Sequence, residues 1–440
     1  MKCRKKSKVL LVPYPAQGHV TPMLKLASLL LSHGLNPIVI TPNFIQINPN
    51  EDGISIISIP DGIEDGTPRD FFAIENAMEN YMPYHFEKLV QEYDFDGKEE
   101  DGVVCVIVDL LASWAIKVAN KFGIQVAGFW PAMFATYRLI DSIPDMLKNG
   151  IISETGCPLH NGSISISLGQ PTLNLEDLPW LIGNSAARIS RFKFWTKTMK
   201  ISRTLKWLLV NTFPDECHNV RNTTNLNAQI LPIGPLNTHL TIKNASFWEE
   251  DSSCLNWLDM QITNSVIYIS FGSWVNPIGE AKVNSLALAL VALKKPFIWV
   301  LAPLWREGLE KGYLEKISKQ GKIVSWAPQI DVLQHESVGC YLTHCGWNST
   351  MEAIQSKKRM LCYPIAGDQF VNCAYIVQKW RIGVRMDGFG LKDLDEGLKR
   401  VMKDDEMSDR IARLNEMTMG KVASSRAMAD LTTFMCDIRI

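Results

Sequence analysis

Short apolar runs alternate with helical ones along this chain, and the alternation starts twice, which leaves few folds open. The first series places strand-like runs at 8–12, 37–41, 54–59, 103–108 and 125–129, separated by helical patterns over 21–32, 71–93 and 112–122. The second begins after residue 260, with strand-like runs at 265–271, 296–300, 322–325, 338–343 and 359–363 and a helix over 280–293. These runs are short and mostly apolar, as buried strands are; buried strands separated by helices imply a parallel, doubly wound sheet. We therefore expect two α/β units, and 440 residues suffice for two cores. Ile233-Gly234-Pro235-Leu236 and the polar run 237–251 read as the linker between a first unit at 1–236 and a second at 252–425. The stretch 153–202 reads as loop and short helices.

Composition narrows the function. A net charge of -1 gives no electrostatic case for nucleic acid or an anionic membrane as partner. The basic start runs into an apolar stretch that stops at Pro13, too soon for a signal peptide, and no uninterrupted apolar run reaches the roughly 18 residues of a membrane span. Ten cysteines are scattered, several inside strand-like runs, which suits reduced, buried thiols and a cytoplasmic protein.

Chemistry concentrates in Trp326-Ala327-Pro328-Gln329, His344-Cys345-Gly346-Trp347-Asn348-Ser349, Glu352 and Asp368-Gln369. The run 338–343 ends at His344, and a helical pattern follows through Met351, Ala353 and Ile354. A glycine at such a turn lets backbone approach a ligand, and the first amides of the helix attract anions. An indole face suits a planar base, and a carboxylate accepts from two neighbouring hydroxyls at once. His335, Cys340, His344 and Cys345 lack a second Cys/His pair at zinc spacing, so no metal is expected among them.

With W-x-P-Q, H-C-G-W-N-S, E and D-Q in register over 326–369, the chain resembles the plant family 1 UDP-sugar glycosyltransferases of secondary metabolism. The resemblance implies the GT-B fold, two Rossmann-like domains facing a cleft, with the last helix, 426–440, packing back on the first. It implies that Trp326 stacks on uracil, that Ala327 and Gln329 meet uracil and ribose, and that Glu352 takes the ribose hydroxyls. His344, Asn348 and Ser349 would hold the diphosphate, helped by Ser273 in Phe271-Gly272-Ser273. Trp347, through its amide, and Asp368 and Gln369 would read the sugar, with Gln369 favouring glucose over galactose. Where the family commonly has Gly-Val-Pro, this chain has Lys357-Lys358-Arg359, which we expect to form a surface loop with extra positive charge.

Near the N-terminus, Pro13 to Pro22 resembles the family's P-x-x-x-Q-G-H-x-x-P, which makes His19 the general base, at a strand-to-helix turn. Asp109 ends the run 103–108 and would fix the tautomer of His19; taken alone it reads equally as an N-cap of the next helix. The resemblance thus implies inverting transfer of glucose from UDP-glucose, a co-substrate, to a hydroxyl or carboxyl group of a small lipophilic acceptor. It further implies no cofactor, no metal and a monomer. Acceptor-pocket candidates are Phe129, Trp130, Met133, Phe134 and Trp180. A dinucleotide-dependent oxidoreductase would need a G-x-G-x-x-G that is missing, and a silent binding protein would be expected to have lost His19 or Asp109.

Overall fold

The computed structural model describes residues 7–45, 47, 53–64, 66–94, 102–165, 170–217, 228–236, 248–273 and 278–439. Its strands in chain order are β1 (Lys8–Val12), β2 (Asn36–Pro42), β3 (Ser55–Ile59), β4 (Val103–Asp109), β5 (Val126–Trp130), β6 (Ser163–Ser165), β7 (Thr172–Asn174) and β8 (Trp207–Val210). They continue with β9 (Gln229–Pro232), β10 (Val266–Ser270), β11 (Phe297–Val300), β12 (Gly321–Val324), β13 (Val338–Thr343), β14 (Arg359–Cys362) and β15 (Gly383–Arg385). β6 and β7 form a small antiparallel pair; every other pairing is parallel.

One seven-stranded sheet has the order β3-β2-β1-β4-β5-β8-β9, and a six-stranded sheet has the order β12-β11-β10-β13-β14-β15. Numbered within itself, the second sheet reads 3-2-1-4-5-6, the dinucleotide-fold order, and the first follows the same order with a seventh strand added at the end. Strand order reverses between β1 and β4 in one sheet and between β10 and β13 in the other. Ligands of such sheets bind at that reversal, beyond the carboxyl ends of the strands. The residues following β1, β4, β10 and β13 are therefore where chemistry belongs.

The chain divides into two compact units. One takes residues up to Asp141, resumes at Lys193 up to the linker, and recovers the chain from Lys421; the other takes Ser142–Phe192 and Trp248–Gly420. Two features depart from the expected division. Segment 142–192, expected in the first unit, groups with the second, because Arg385 binds Asp177 at 3.1 Å and Gln378 clasps Thr172 through its backbone and hydroxyl. The helix that rejoins the first unit starts at Lys421 and runs to Asp437. Its Leu431, Phe434 and Met435 enter the cluster built by Val9, Leu11, Leu24 and Val39, Phe434 meets Trp207 edge-on, and the Trp207 indole donates to Asp437 at 3.2 Å. Of the expected linker, 233–236 and 248–251 lie among the described residues.

Several elements differ from the sequence reading. β8, β9 and β15 carry only three or four residues each, too few for a periodicity to show. Within 153–202 lies one helix of eighteen residues, Ser185–Ser202; its apolar side chains Ile189, Phe192, Phe194, Trp195 and Met199 are spread around the axis, so no single stripe announces it. The first helix spans Gln17–Ser32 and carries Pro22 inside it, so His19 lies in the first helical turn and not ahead of it. Lys357-Lys358-Arg359 is not a loop of spare charge. Lys357 occupies the left-handed backbone region (φ 53°) that glycine favours, and Lys358 Nζ donates to the His335 and Val338 carbonyls at 3.0 and 2.7 Å. Arg359 starts β14 and binds the Val401 and Met402 carbonyls and the Ser408 hydroxyl.

Candidate functional site

In the first unit the reversal point holds a histidine–carboxylate pair. His19 Nδ1 lies 2.7 Å from Asp109 Oδ2. A carboxylate only accepts, so Nδ1 carries the proton and Nε2 is the nitrogen left to accept. Asp109 Oδ1 meanwhile accepts from the Leu111 amide at 3.0 Å and caps the short helix Leu110–Ala112. The N-cap and the histidine partner, alternatives in the sequence, are thus carried by separate oxygens of one carboxylate. Asp109 is wholly buried while the His19 side chain keeps 21% of its surface, so the ring remains reachable and its partner is shielded from water. The Tyr14 ring meets His19 edge-on at 5.2 Å and braces it from the strand side.

The reversal point of the second unit holds a neutral ring. His344 follows β13 and is buried, and burial pushes its pKa down to about 4 against a weaker opposing hydrogen bond from the ring to the Ser270 backbone carbonyl. At neutral pH it therefore offers hydrogen bonding, not charge. Its buried Nδ1 has no protein partner among the described residues. Two glycines make room for the ring: a Cβ on Gly272 would lie 2.6 Å from His344 Nε2, and one on Gly346 would lie 2.5 Å from it. Gly272 also has φ +82°, so both its backbone and its missing side chain are needed. Gly346 is the N-cap of helix Trp347–Gln355 and supplies no capping side chain, the arrangement that suits an anion at a helix start. Trp347 is buried, Ser349 nearly so, Asn348 is half-buried, and half-buried Ser273 borders residues outside the description.

Around this turn the remaining box residues are linked. Gln329, the first residue of helix Gln329–Gln334, donates from Nε2 to Ser349 Oγ at 3.0 Å and to Glu352 Oε2 at 2.6 Å. Its Oε1 accepts from the buried Tyr268 and Tyr341 hydroxyls, both at 3.1 Å. The Glu352 carboxylate can only accept, which fixes the orientation of the amide. Every hydrogen-bonding position of the Gln329 side chain is then occupied from within the protein, and one oxygen of Glu352 is held in place. Trp326 is half-buried with one face stacked on Trp248, centroids 5.5 Å apart and planes 28° apart, so a base could lie only on the opposite face; the adjacent Ala327 is buried. Gln369 Oε1 accepts from the Ile365 and Ala366 amides at 2.9 and 3.0 Å, which leaves its NH2 group as the part able to meet a ligand. Asp368 Oδ2 accepts from Asn372 at 2.8 Å.

Residues 242–427 match the family described as UDP-glucoronosyl and UDP-glucosyl transferase. Over 451 residues the chain is 51% identical to UDP-glycosyltransferase 82A1 of Arabidopsis thaliana, covering 96% of each. The chain belongs to the UDP-glycosyltransferase family. It is accordingly an enzyme that transfers glycosyl groups from UDP-sugar donors. Its two parallel-sheet units place it in the GT-B class, and the fold matches Medicago truncatula UGT71G1 complexed with UDP-glucose (TM-score 0.82, 23% identity, 99% of each chain covered). It also matches Phytolacca americana UGT2 complexed with UDP-2fluoro-glucose and pterostilbene (TM-score 0.79, 22% identity, 99% and 100% covered).

The acceptor candidates lie in the interior. Phe129, Trp130, Met133, Phe134 and Trp180 are all buried and act as core. Trp130 donates to the Met133 carbonyl, Phe134 stacks on Tyr137 with its amide bound to buried Glu216, and Trp180 donates to the Gly156 carbonyl, in the other unit. Aromatic side chains in apolar runs are what a sheet and its helices bury first. Sequence reasoning missed the linking role of Gln329, the support from Tyr268 and Tyr341, and Trp248 behind Trp326. A glycine before Ser273 and another after Cys345 were visible signals of the ring they enclose. Among the described residues, no helix is long and apolar enough to cross a membrane, and all nine described cysteines are free.

Proposed function

We propose that this enzyme transfers glucose from UDP-glucose, with inversion, to a hydroxyl or carboxyl group of a small lipophilic acceptor, using His19 as general base. The observation that carries the reading is the 2.7 Å contact between His19 Nδ1 and Asp109. It leaves Nε2 as the basic nitrogen and places a buried carboxylate where the imidazolium formed by proton transfer is stabilised. His19 takes the proton of the acceptor oxygen as that oxygen attacks the anomeric carbon, and the carbon–oxygen bond to UDP breaks on the opposite face, giving a β-glucoside. The open face of Trp326 takes the uracil, Ala327 and Gln329 border it through their backbone, and Glu352, steadied by the Gln329 amide, takes the ribose hydroxyls. Neutral His344 and the start of helix Trp347–Gln355, with Asn348, Ser349 and Ser273, receive the diphosphate. Asp368 accepts from sugar hydroxyls, and the Gln369 NH2 group donates to them.

These groups meet the leaving-group charge without a catalytic metal, and the protein works as a cytosolic monomer. UDP-glucose in the related Medicago structure supports the donor, and pterostilbene in the Phytolacca one supports the acceptor class. The test is incubation with UDP-glucose or UDP-galactose and a panel of phenols, terpenols and aromatic acids. A mass gain of one hexose with UDP-glucose and a β-configured product are expected. Use of UDP-galactose alone, an α-product, or activity lost on chelation and restored by a divalent ion would overturn the corresponding part.

A further inference from the structure

Behind the diphosphate turn three thiols converge from three separate segments. Cys345 lies in the turn after β13, Cys362 ends β14, and Cys373 lies in helix Gln369–Ala374. All three are buried, and their sulfurs lie within 4.8 Å of one another. An ion at the centre of three sulfurs that far apart would sit about 2.8 Å from each, so a contraction of about half an ångström per sulfur reaches the ~2.3 Å of a metal–thiolate bond. Around the cluster the backbone is held firmly. Cys345 has φ 66°, its amide donates to Thr343 Oγ1 at 3.1 Å, and its carbonyl accepts from Asn372, the neighbour of Cys373, at 2.9 Å.

Buried cysteines are ordinarily small apolar core residues, and Cys105, Cys254 and Cys340 fit that description: burial pushes each thiol up to about 11 or 12. The cluster behaves otherwise. Hydrogen bonds from Cys345 and then Cys362, aided by Arg385, draw the Cys373 thiol down, while burial holds Cys345 and Cys362 well above the ordinary value.

We infer that Cys345, Cys362 and Cys373 form a three-sulfur binding site for a soft, thiophilic cation, and that its occupation weakens UDP binding at the turn directly above. Soft sulfur donors select ions of the copper(I), zinc and cadmium kind. On binding a divalent ion, three metal–sulfur bonds form and the thiol protons pass to solvent. Cys345 lies between His344 and Gly346, so drawing its sulfur inward displaces the ring and the helix start. By reciprocity UDP then opposes the metal to the same degree. The site stands apart from the donor reading; only the coupling to UDP rests on it.

The reduced full-length chain is titrated with cadmium(II) alone under anaerobic conditions, reading the ultraviolet sulfur-to-cadmium charge-transfer band and the protons released. One ion per chain, proton release and a three-sulfur band are expected, together with a loss of UDP affinity of about tenfold or more. Cys373→Ala and Cys362→Ala, each checked for folding by circular dichroism and thermal unfolding, lose the band; Cys254→Ala, a lone buried thiol, keeps it. No binding, a band with fewer than three sulfurs, or a band unchanged in folded C373A overturns the site. Tight cadmium binding with UDP affinity unchanged overturns the coupling, and UDP failing to bind the metal-free chain overturns the donor reading instead.

Discussion

Replacing Gly272 with alanine tests the packing of the diphosphate turn most directly. The backbone there has φ +82°, where an L-residue costs about 1–2 kcal/mol. The new Cβ would also sit 2.6 Å from His344 Nε2 and 2.9 Å from Cε1, and an overpacked interior costs about 1–3 kcal/mol. Together these give a loss of about 2–5 kcal/mol for Gly272→Ala. The neighbouring position separates the two contributions. Gly346 has φ -59°, so Gly346→Ala carries the steric contribution without the backbone one. In a His344→Ala background the obstruction is gone, and Gly272→Ala should then cost only the backbone share, about 1–2 kcal/mol.

Denaturant unfolding of the four proteins in this cycle, with UDP affinity measured calorimetrically alongside, gives both readouts. UDP affinity should fall about tenfold or more in G272A if, as proposed, the buried, unpartnered nitrogen of this ring receives the diphosphate, because the ring is displaced. A G272A protein within about 0.5 kcal/mol of the parent and with UDP affinity intact would show that the two glycines do not enclose the histidine. An equal cost in the parent and H344A backgrounds would refute the steric half alone.

His344 also sets a pH dependence: its pKa is depressed from 6.5 to about 4, so the unfolded chain binds the proton more tightly. The associated stability, about 3 kcal/mol at most, is fully present above pH ~6.5 and is lost as pH falls toward ~4; His344→Asn should flatten that part of a denaturation-midpoint profile. Asp109→Asn keeps an oxygen for the Leu111 amide but removes the carboxylate from His19, so stability should change by about 1 kcal/mol or less while kcat falls about 10²–10⁴-fold; a parallel loss of both in unfolding and rate assays would make Asp109 a structural residue only. Lys357→Gly relieves a left-handed backbone and should raise the unfolding free energy by up to about 1 kcal/mol after the entropy of the unfolded glycine is counted, visible as a higher denaturation midpoint.

How much of this the sequence carried depended on how local each cause was. β13 and the helix Glu280–Leu293 are where the apolar pattern places them, since a long run with one periodicity has no rival reading. β15, three residues on a sheet edge, owes its existence to pairing with β14 and has no signal of its own. The same separation holds for the site. His19, Asp109 and the box residues were legible as types at a strand end. That Gln329 is saturated by two tyrosines from neighbouring strands, and that Lys358 and Arg359 are spent on carbonyls, depends on partners remote in sequence. The cysteine triad is the extreme case: Cys345, Cys362 and Cys373 show no ligand spacing along the chain and meet only because β13, β14 and the following helix lie side by side.

The two units show why equal topology need not give equal chemistry. In each sheet the order reverses beside the first strand, so the residues following that strand and those at the end of the fourth are brought together by the backbone alone. In the first unit the two positions are filled by His19 and Asp109, and the result is a carboxylate-held ring with one nitrogen left basic. In the second they are filled by Gly272 and His344, and the result is a neutral, closely enclosed ring beside an uncapped helix start. Partnering with a carboxylate favours a histidine that takes up a proton, whereas burial against glycine favours one that stays neutral and offers hydrogen bonds to an anion. Exchanging the environments, with an aspartate at position 272, would place a carboxylate against His344 and raise its pKa. The same aspartate would repel a diphosphate, so loss of UDP binding with a newly titrating histidine near neutral pH is the outcome this account requires of Gly272→Asp.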